Sequence, residues 1–343
     1  MIAVVSAPTL EDVAKRAGVS TATVSRCLNS PDKVVAKTRE KVMKTVRELG
    51  YAPNFSARAL AARRTQTIGA VIPTMENAIF AQGLQAFQER LGEDGFMLLV
   101  ASSSYDRDIE EAQIRALVAR GADGILLIGH DRDPAVYQFL RTQNVPVLIA
   151  WAYSPERLSI GFDNRAAMEA LASHAIELGH SRIGVITAPT EGNDRARGRI
   201  EGIRAAVSAA GMNPEDLAIE ETEYSVLNGA DAFDRLMVVA RPSLVICGND
   251  VLAAGALRRA GERGLSVPGE VSITGFDDIE LARLVTPKLT TVRVPHRQMG
   301  EAAAEMLIGM TRGETPQEGR CLPTWTRFGG TLAAPMVPRR KGR

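Results

Sequence analysis

Thr21, Ala22, Ser25 and Arg26 are spaced so that one helix would carry them on a single face. There, two hydroxyls, a methyl and a guanidinium could meet the edges of stacked base pairs. Val24 and Leu28 fall on the opposite face, so this helix has an inside and an outside. The segments that would hold it lie on either side. A helix over 10–17 starts at Thr9 as its N-cap, carries Glu11 and Asp12 in the first turn and stops at Gly18. Val19 fills the turn, and Ser20 caps the helix over 21–28. Two short helices about a tight Gly-containing turn make a helix-turn-helix, whose second helix suits the DNA major groove. A third helix over 36–49 sets Val42, Val46 and Leu49 on one face and ends at Gly50.

Charge points to the same partner. Residues 1–67 hold 12 Lys+Arg against 5 Asp+Glu, whereas the other 276 residues hold 29 against 35; a formal net charge of +1 hides this split. A basic end on a mildly acidic body implies a polyanion partner for the end and a different task for the body. After the break at Tyr51-Ala52-Pro53-Asn54, residues 55–64 read as a short, basic, Ala-rich helix that is marginal in isolation.

The motifs Leu10-Glu-Asp-Val-Ala-Lys-Arg-Ala-Gly-Val-Ser20, Thr23-Val-Ser-Arg-Cys-Leu-Asn29, Thr38-Arg-Glu-Lys-Val42, Leu49-Gly-Tyr-Ala-Pro-Asn54 and Ala57-Arg-Ala-Leu60 follow one another in order. In this order and spacing they resemble the LacI family of bacterial transcription regulators. The resemblance implies a recognition helix at 21–28, with Thr21, Ala22, Ser25, Arg26 and Asn29 as DNA-binding residues. It also implies a hinge helix near 54–62 that folds when two subunits meet on an operator. Leu60 would then wedge into the minor groove, with Ala57 allowing close approach. An apolar wedge of this kind costs a few kcal/mol of unstacking, offset by the contacts that bent DNA permits. One departure is Val35, where the family commonly caps the third helix with Ser or Thr; losing such a cap costs about 1 kcal/mol.

Beyond residue 67, short apolar β-branched runs alternate with helical stretches. Strands are expected at 68–72, 96–101, 124–128, 145–150, 183–187, 244–247, 271–274 and 290–294, with helices such as 82–92, 110–120, 165–178, 198–210 and 252–263 between them. Continuous apolar strands separated by helices imply parallel sheets covered on both faces, and this many units exceed one comfortable core. The fold class expected is α/β: an all-α helix-turn-helix headpiece followed by two doubly wound parallel-sheet subdomains, periplasmic-binding-protein-like of type I. Loose similarity between the segments from Gly121 and from Arg241 supports two related halves. The expected boundaries are a headpiece at 8–52, a hinge helix and linker at 53–67, an effector-binding core at 68–336 and a basic tail at 337–343. Within the core, an N-terminal half would span about 68–163 and 294–322, and a C-terminal half about 164–292 and 323–336. The chain would cross between them near Asp163, Arg293 and Leu322.

Ligands on open α/β sheets bind beyond the carboxyl ends of the strands, so the cleft between two such halves is the expected site. By resemblance to the family, Ile79 and Phe80 would cover an effector from above, Arg199 would supply the cleft arginine, Tyr224 a stacking aromatic, Asn249 an amide and Asp277 a hydroxyl acceptor. Ala150 departs from the Asp often found there in sugar-binding relatives. Its neutrality, with Arg195, Arg197 and Arg199 on the facing segment, predicts a positive pocket and favours an anionic sugar derivative, a sugar acid or phosphosugar, over a neutral sugar. In general look the chain is closest to gluconate-type repressors.

The remaining signals narrow the function class. No hydrophobic run is long enough for a membrane span and residues 1–7 are too short and uncharged for a secretory signal, so a cytoplasmic, nucleoid-associated protein is expected rather than an exported one. Cys27, Cys247 and Cys321 sit far apart in apolar contexts and read as reduced thiols; His130, His174, His180 and His296 form no catalytic or metal pattern. No Walker loop, GxGxxG after a strand or GxSxG motif is present, so neither a cofactor nor catalysis is expected. The tail has no heptad repeat, which favours a homodimer over a tetramer. The expected partners are double-stranded operator DNA with an inverted repeat and a small-molecule effector, and the expected role is repression of a carbohydrate catabolic operon. A solute-binding or chemosensory protein would account for the body but not for residues 9–64. A sugar-cleaving hydrolase would need paired carboxylates in the cleft.

Overall fold

The computed structural model describes residues 7–52, 64–76, 78–315 and 318–336. The expected hinge helix, with Ala57 and Leu60, and the basic tail lie outside the described residues. The chain divides into two compact units, Met1–Thr65 and Gln66–Arg343.

In the first unit, α1 (Leu10–Ala17) begins with a reciprocal cap in which Thr9 and Asp12 bond each other's backbone amides, and it ends at Gly18 in the left-handed region. Ser20 accepts from the Thr23 amide to start α2 (Thr21–Asn29). Helix α3 (Ala36–Leu49) starts at Val35 without a side-chain cap. Val13, Ala14, Ala17, Val24, Cys27, Val42 and Val46 meet in a small apolar core. This packing fixes which face of α2 stays outside.

The second unit holds two six-stranded sheets. The first consists of β1 (Thr67–Ile72), β2 (Met97–Ser102), β3 (Gly124–Ile128), β4 (Val147–Ala150), β5 (Ser159–Gly161) and β11 (Arg320–Cys321), in the order β11-β5-β4-β3-β1-β2. Every pairing in it is parallel. The second consists of β6 (Ile183–Thr187), β7 (Ala218–Glu221), β8 (Leu244–Cys247), β9 (Ser272–Asp277), β10 (Thr290–Arg293) and β12 (Trp325–Arg327), in the order β12-β10-β9-β8-β6-β7. Only β12 runs antiparallel, against β10. Apart from β11 and β12, the five strands of each sheet thus share one winding, the doubly wound order with a switch point beside the first strand.

Helices α4 (Ala81–Glu93), α5 (Arg107–Ala119), α6 (Pro134–Thr142) and α12 (His296–Thr311) belong to the first half. Helices α7 (Asn164–Glu177), α8 (Asp194–Ala209), α9 (Val226–Val239), α10 (Asp250–Glu262) and the short α11 (Leu281–Leu284) belong to the second. The chain passes from one half to the other between β5 and α7, between β10 and α12, and between β11 and β12. On α8, Arg195, Arg199, Gly202, Ile203 and Ala206 recur at helical spacing on the buried face. A Cβ on Gly202 would lie 2.3 Å from the Arg165 carbonyl, so glycine there lets α8 press against α7 and carries the two arginines inward.

Candidate effector cleft and DNA-reading surface

On α2 the packing of Val24 and Cys27 leaves Thr21, Ala22, Arg26 and Asn29 exposed, with Ser25 half-buried and accepting from Asn29 Nδ2 at 3.2 Å. Five side chains of differing hydrogen-bonding character therefore line the outer face of one helix.

In the second unit, the strand ends facing the cleft are also where the backbone is unusual. Of the eight non-glycine residues with positive φ among the described residues, five lie there: Ser104 and Tyr105 after β2, Trp151 after β4, and Asp277 and Asp278 at the end of β9. Strain of this kind concentrates at binding sites. Asp277 is 1% exposed, and neither of its carboxylate oxygens has a hydrogen-bond partner. Its nearest counter-charge is Arg199 Nη2, 3.8 Å from Oδ1. Arg199 is itself buried: Nε donates to Asn164 Oδ1 at 2.9 Å, Nη1 donates to the Gly248 carbonyl, and the guanidinium lies 3.8 Å from the centre of the Phe276 ring. Asn164 Nδ2 in turn donates to the Trp151 carbonyl at 3.2 Å, tying the cleft arginine to the opposite half.

Asn249 plays two parts. Its Oδ1 caps α10 by accepting from the Leu252 amide at 2.9 Å, while its buried Nδ2 has no partner. Trp151 Nε1 and His296 Nδ1 are likewise buried without partners. Carboxylate oxygens, an amide, an indole N–H and an imidazole nitrogen left unsatisfied in a folded interior make this the candidate site for a polar ligand. Burial holds the His296 pKa below the ordinary imidazole value, so its ring is a neutral hydrogen-bonding group.

Tyr224 stands at the cleft wall, its ring centre 6.1 Å from that of Tyr105 on the opposite half. Arg195, Arg199 and Asp277 lie near enough to both phenols to act on them electrostatically. The two tyrosines, with Thr74, Met75, Glu76, Asn193 and others, line a cavity of about 410 Å³. Ile79 and Phe80 are buried instead of lining this cavity, and Phe80 packs edge-on against Trp151 with ring centres 5.4 Å apart. Sequence reasoning missed Tyr105, Trp151, Asn164 and His296. Tyr105, three residues beyond β2, and Trp151, directly after β4, lie at the carboxyl ends of strands, where the strand-end rule already places ligands.

The expectation of a positive pocket is corrected by pairing. Arg195 bonds Asp194 at 2.9 Å and the Ile128 carbonyl at 3.2 Å. Arg197 reaches Asp131 at 2.9 Å, and Arg199 faces Asp277. The first two form a clasp across the cleft, each charge offset by an acid: Asp194 accepts from the His130 amide at 2.6 Å, and Asp131 also receives Arg107 at 2.8 Å. Gly129, at φ +74°, is the closest point of approach; a Cβ there would lie 2.0 Å from Arg195 Nη1. All three cysteines are free, Cys27 and Cys247 buried and Cys321 exposed.

The nearby Asp250 does not complete an acid–base pair with Asp277. Burial and then the Asp277 charge hold its pKa well above the carboxylate range. Its oxygens are already engaged by the Thr291 hydroxyl and the Ile279 amide, and it is 0% exposed.

Residues 9–54 match the family described as bacterial regulatory proteins, lacI family, and residues 172–330 match a periplasmic binding protein-like domain. The HTH-type transcriptional regulator DegA of Bacillus subtilis (strain 168) is 34% identical over 85% of this chain and 88% of its own length. The chain belongs to the LacI family. It is a DNA-binding transcription regulator with a helix-turn-helix headpiece and a periplasmic-binding-protein-like core. Among other relatives, the repressor PurR of Salmonella newport (strain SL254) is 33% identical over 88% of this chain and 89% of its own. A crystal structure of the lac repressor dimer bound to operator and the anti-inducer ONPF superposes with a TM-score of 0.85 at 27% identity, covering 96% of this chain and all of that one. These LacI-family relatives are regulators and not enzymes. No helix among the described residues is long and apolar enough to cross a membrane.

Proposed function

We propose that the protein is a cytoplasmic, homodimeric repressor without catalytic activity. It would read an inverted-repeat operator through α2 and respond to a polyhydroxylated small molecule held between the halves of its core, as expected for a regulator of carbohydrate catabolism. The observation that carries the effector reading is the buried Asp277 carboxylate, free of hydrogen bonds, beside Arg199 and the unsatisfied Asn249 amide. A carboxylate accepts from ligand hydroxyls while the guanidinium and amide donate to the same hydroxyls, which is the pairing a sugar ring offers. Phe80 packs behind Trp151 and fixes its ring, Trp151 brings an indole N–H with no partner, and Tyr224 supplies the stacking face.

On the DNA side, Arg26 donates a bidentate pair to a guanine while Thr21 and Ala22 select neighbouring bases; Ser25 and Asn29 complete the face. Ala57 and Leu60 keep the roles the family resemblance implies, in the minor groove. An effector changes operator affinity only if it binds the closed and open cores differently. The test is fluorescence anisotropy of labelled promoter DNA with the full-length protein and a sugar panel. Specific binding that one class of sugars shifts, and that Arg199→Ala renders unresponsive, supports the reading. Specific binding that no Arg199-dependent ligand alters rejects it.

A further inference from the structure

The outer cavity of the cleft has a charge opposite to the one that sequence reasoning assigns it. No Lys or Arg lines it, whereas Glu76, Glu191 and Glu223 do, and among the described residues none of these carboxylates is paired with a cation. The rings of Tyr105 and Tyr224 border the same space from opposite halves. Below them the Arg199–Asp277 pair is formally neutral, and the buried Asp277 oxygens and Asn249 Nδ2 are without partners. An acidic, aromatic vestibule is thus bounded by the same two tyrosines on which the buried, formally neutral Arg199–Asp277 pair acts. Carboxylates set around aromatic faces attract an ammonium group by Coulomb and cation–π terms and repel a phosphate or carboxylate.

We infer that the effector is a polyol whose outward end carries a protonated amine, an amino sugar by chemical class, and that the vestibule discriminates against sugar acids and phosphosugars. This rests on the cleft reading above and adds the charge of the ligand to it. The hydroxyls engage Asp277, Arg199 and Asn249, and the ammonium lies between the two tyrosines, facing the three glutamates.

The test is titration calorimetry of the full-length protein at low and at moderate salt. The probes are glucosamine and galactosamine, their parent hexoses, the corresponding aldonates and the hexose 6-phosphates. The expected result is an amine probe binding roughly tenfold or more tightly than its parent hexose, with the difference shrinking as salt rises. The triple variant E76Q/E191Q/E223Q should lose that preference while Arg199→Ala loses binding altogether. If parent hexoses, aldonates or phosphates bind in an Arg199-dependent way and the amines bind no better, the inference is wrong and the cleft reading stands. If no probe shows Arg199-dependent binding, both fall.

Discussion

The two halves of the core share a strand order but differ in what they bring to the cleft. On the half built on β1–β5, Phe80 and Trp151 are buried against each other. On the half built on β6–β10, Asn249 and Asp277 sit buried with hydrogen-bonding capacity to spare beside Arg199. One topology thus supports a mainly aromatic wall on one side, with the Trp151 and His296 nitrogens as its unpartnered polar atoms, and a charged and amide-bearing surface on the other, because winding fixes where strand ends meet but leaves side-chain chemistry free. The clasp of Asp194, Arg195 and Arg197 on the Ile128–Asp131 segment joins the two sides without belonging to either task.

If the first half mainly packs, Phe80→Ala should cost about 3–5 kcal/mol of unfolding free energy by urea titration, and competition among ligands should keep its rank order. A changed rank order would show that Phe80 selects ligands as well. If the second half mainly reads, Asn249→Ser should keep the α10 cap, since Ser caps nearly as well as Asn. It should nonetheless lose roughly tenfold in effector affinity, as expected for one hydrogen bond of about 1 to 1.5 kcal/mol. Equal affinity in calorimetry would remove the amide from the site.

Much of this division was legible in the sequence. The apolar runs of β1, β3, β6 and β8 are continuous and end where expected, since strands buried on both faces leave no ambiguity of period. The β7 segment Ala218–Glu221 was not expected, because an edge strand carrying two acids lacks that signal. The two- and three-residue strands β11, β12 and β5 are set by what they pair with. In the cleft, residue types pointed to a polar site, but counting arginines gave the wrong field. Arg195 finds its acid in the adjacent Asp194, which the sequence displays and the count of arginines left out; Arg197 finds Asp131 66 positions away, and pairing across two halves of a chain leaves no local pattern.

The clasp gives a smaller effect. Arg197→Ala removes a half-exposed pair worth about 0.2–1 kcal/mol, so solution scattering should report a slightly more open core without effector. An unchanged profile would make the clasp incidental. The smallest effect concerns His296, where α12 begins after the chain returns to the first half. Burial depresses its folded pKa below 6.5, so the unfolded chain binds more protons as pH falls through that range. Stability is full above about pH 6.5 and declines below it, and the melting temperature should fall less between pH 7 and 5.5 in His296→Gln than in the wild type.

The account rests most heavily on a polar floor that senses effector and changes operator affinity. The most direct measurement is the operator dissociation constant, with and without saturating effector, for the wild type and Asp277→Asn. The account predicts a shift of roughly 5- to 150-fold for the wild type, and no shift in Asp277→Asn at the same effector concentration while operator binding itself is retained. A variant that still binds operator and responds to effector as strongly as the wild type would contradict it.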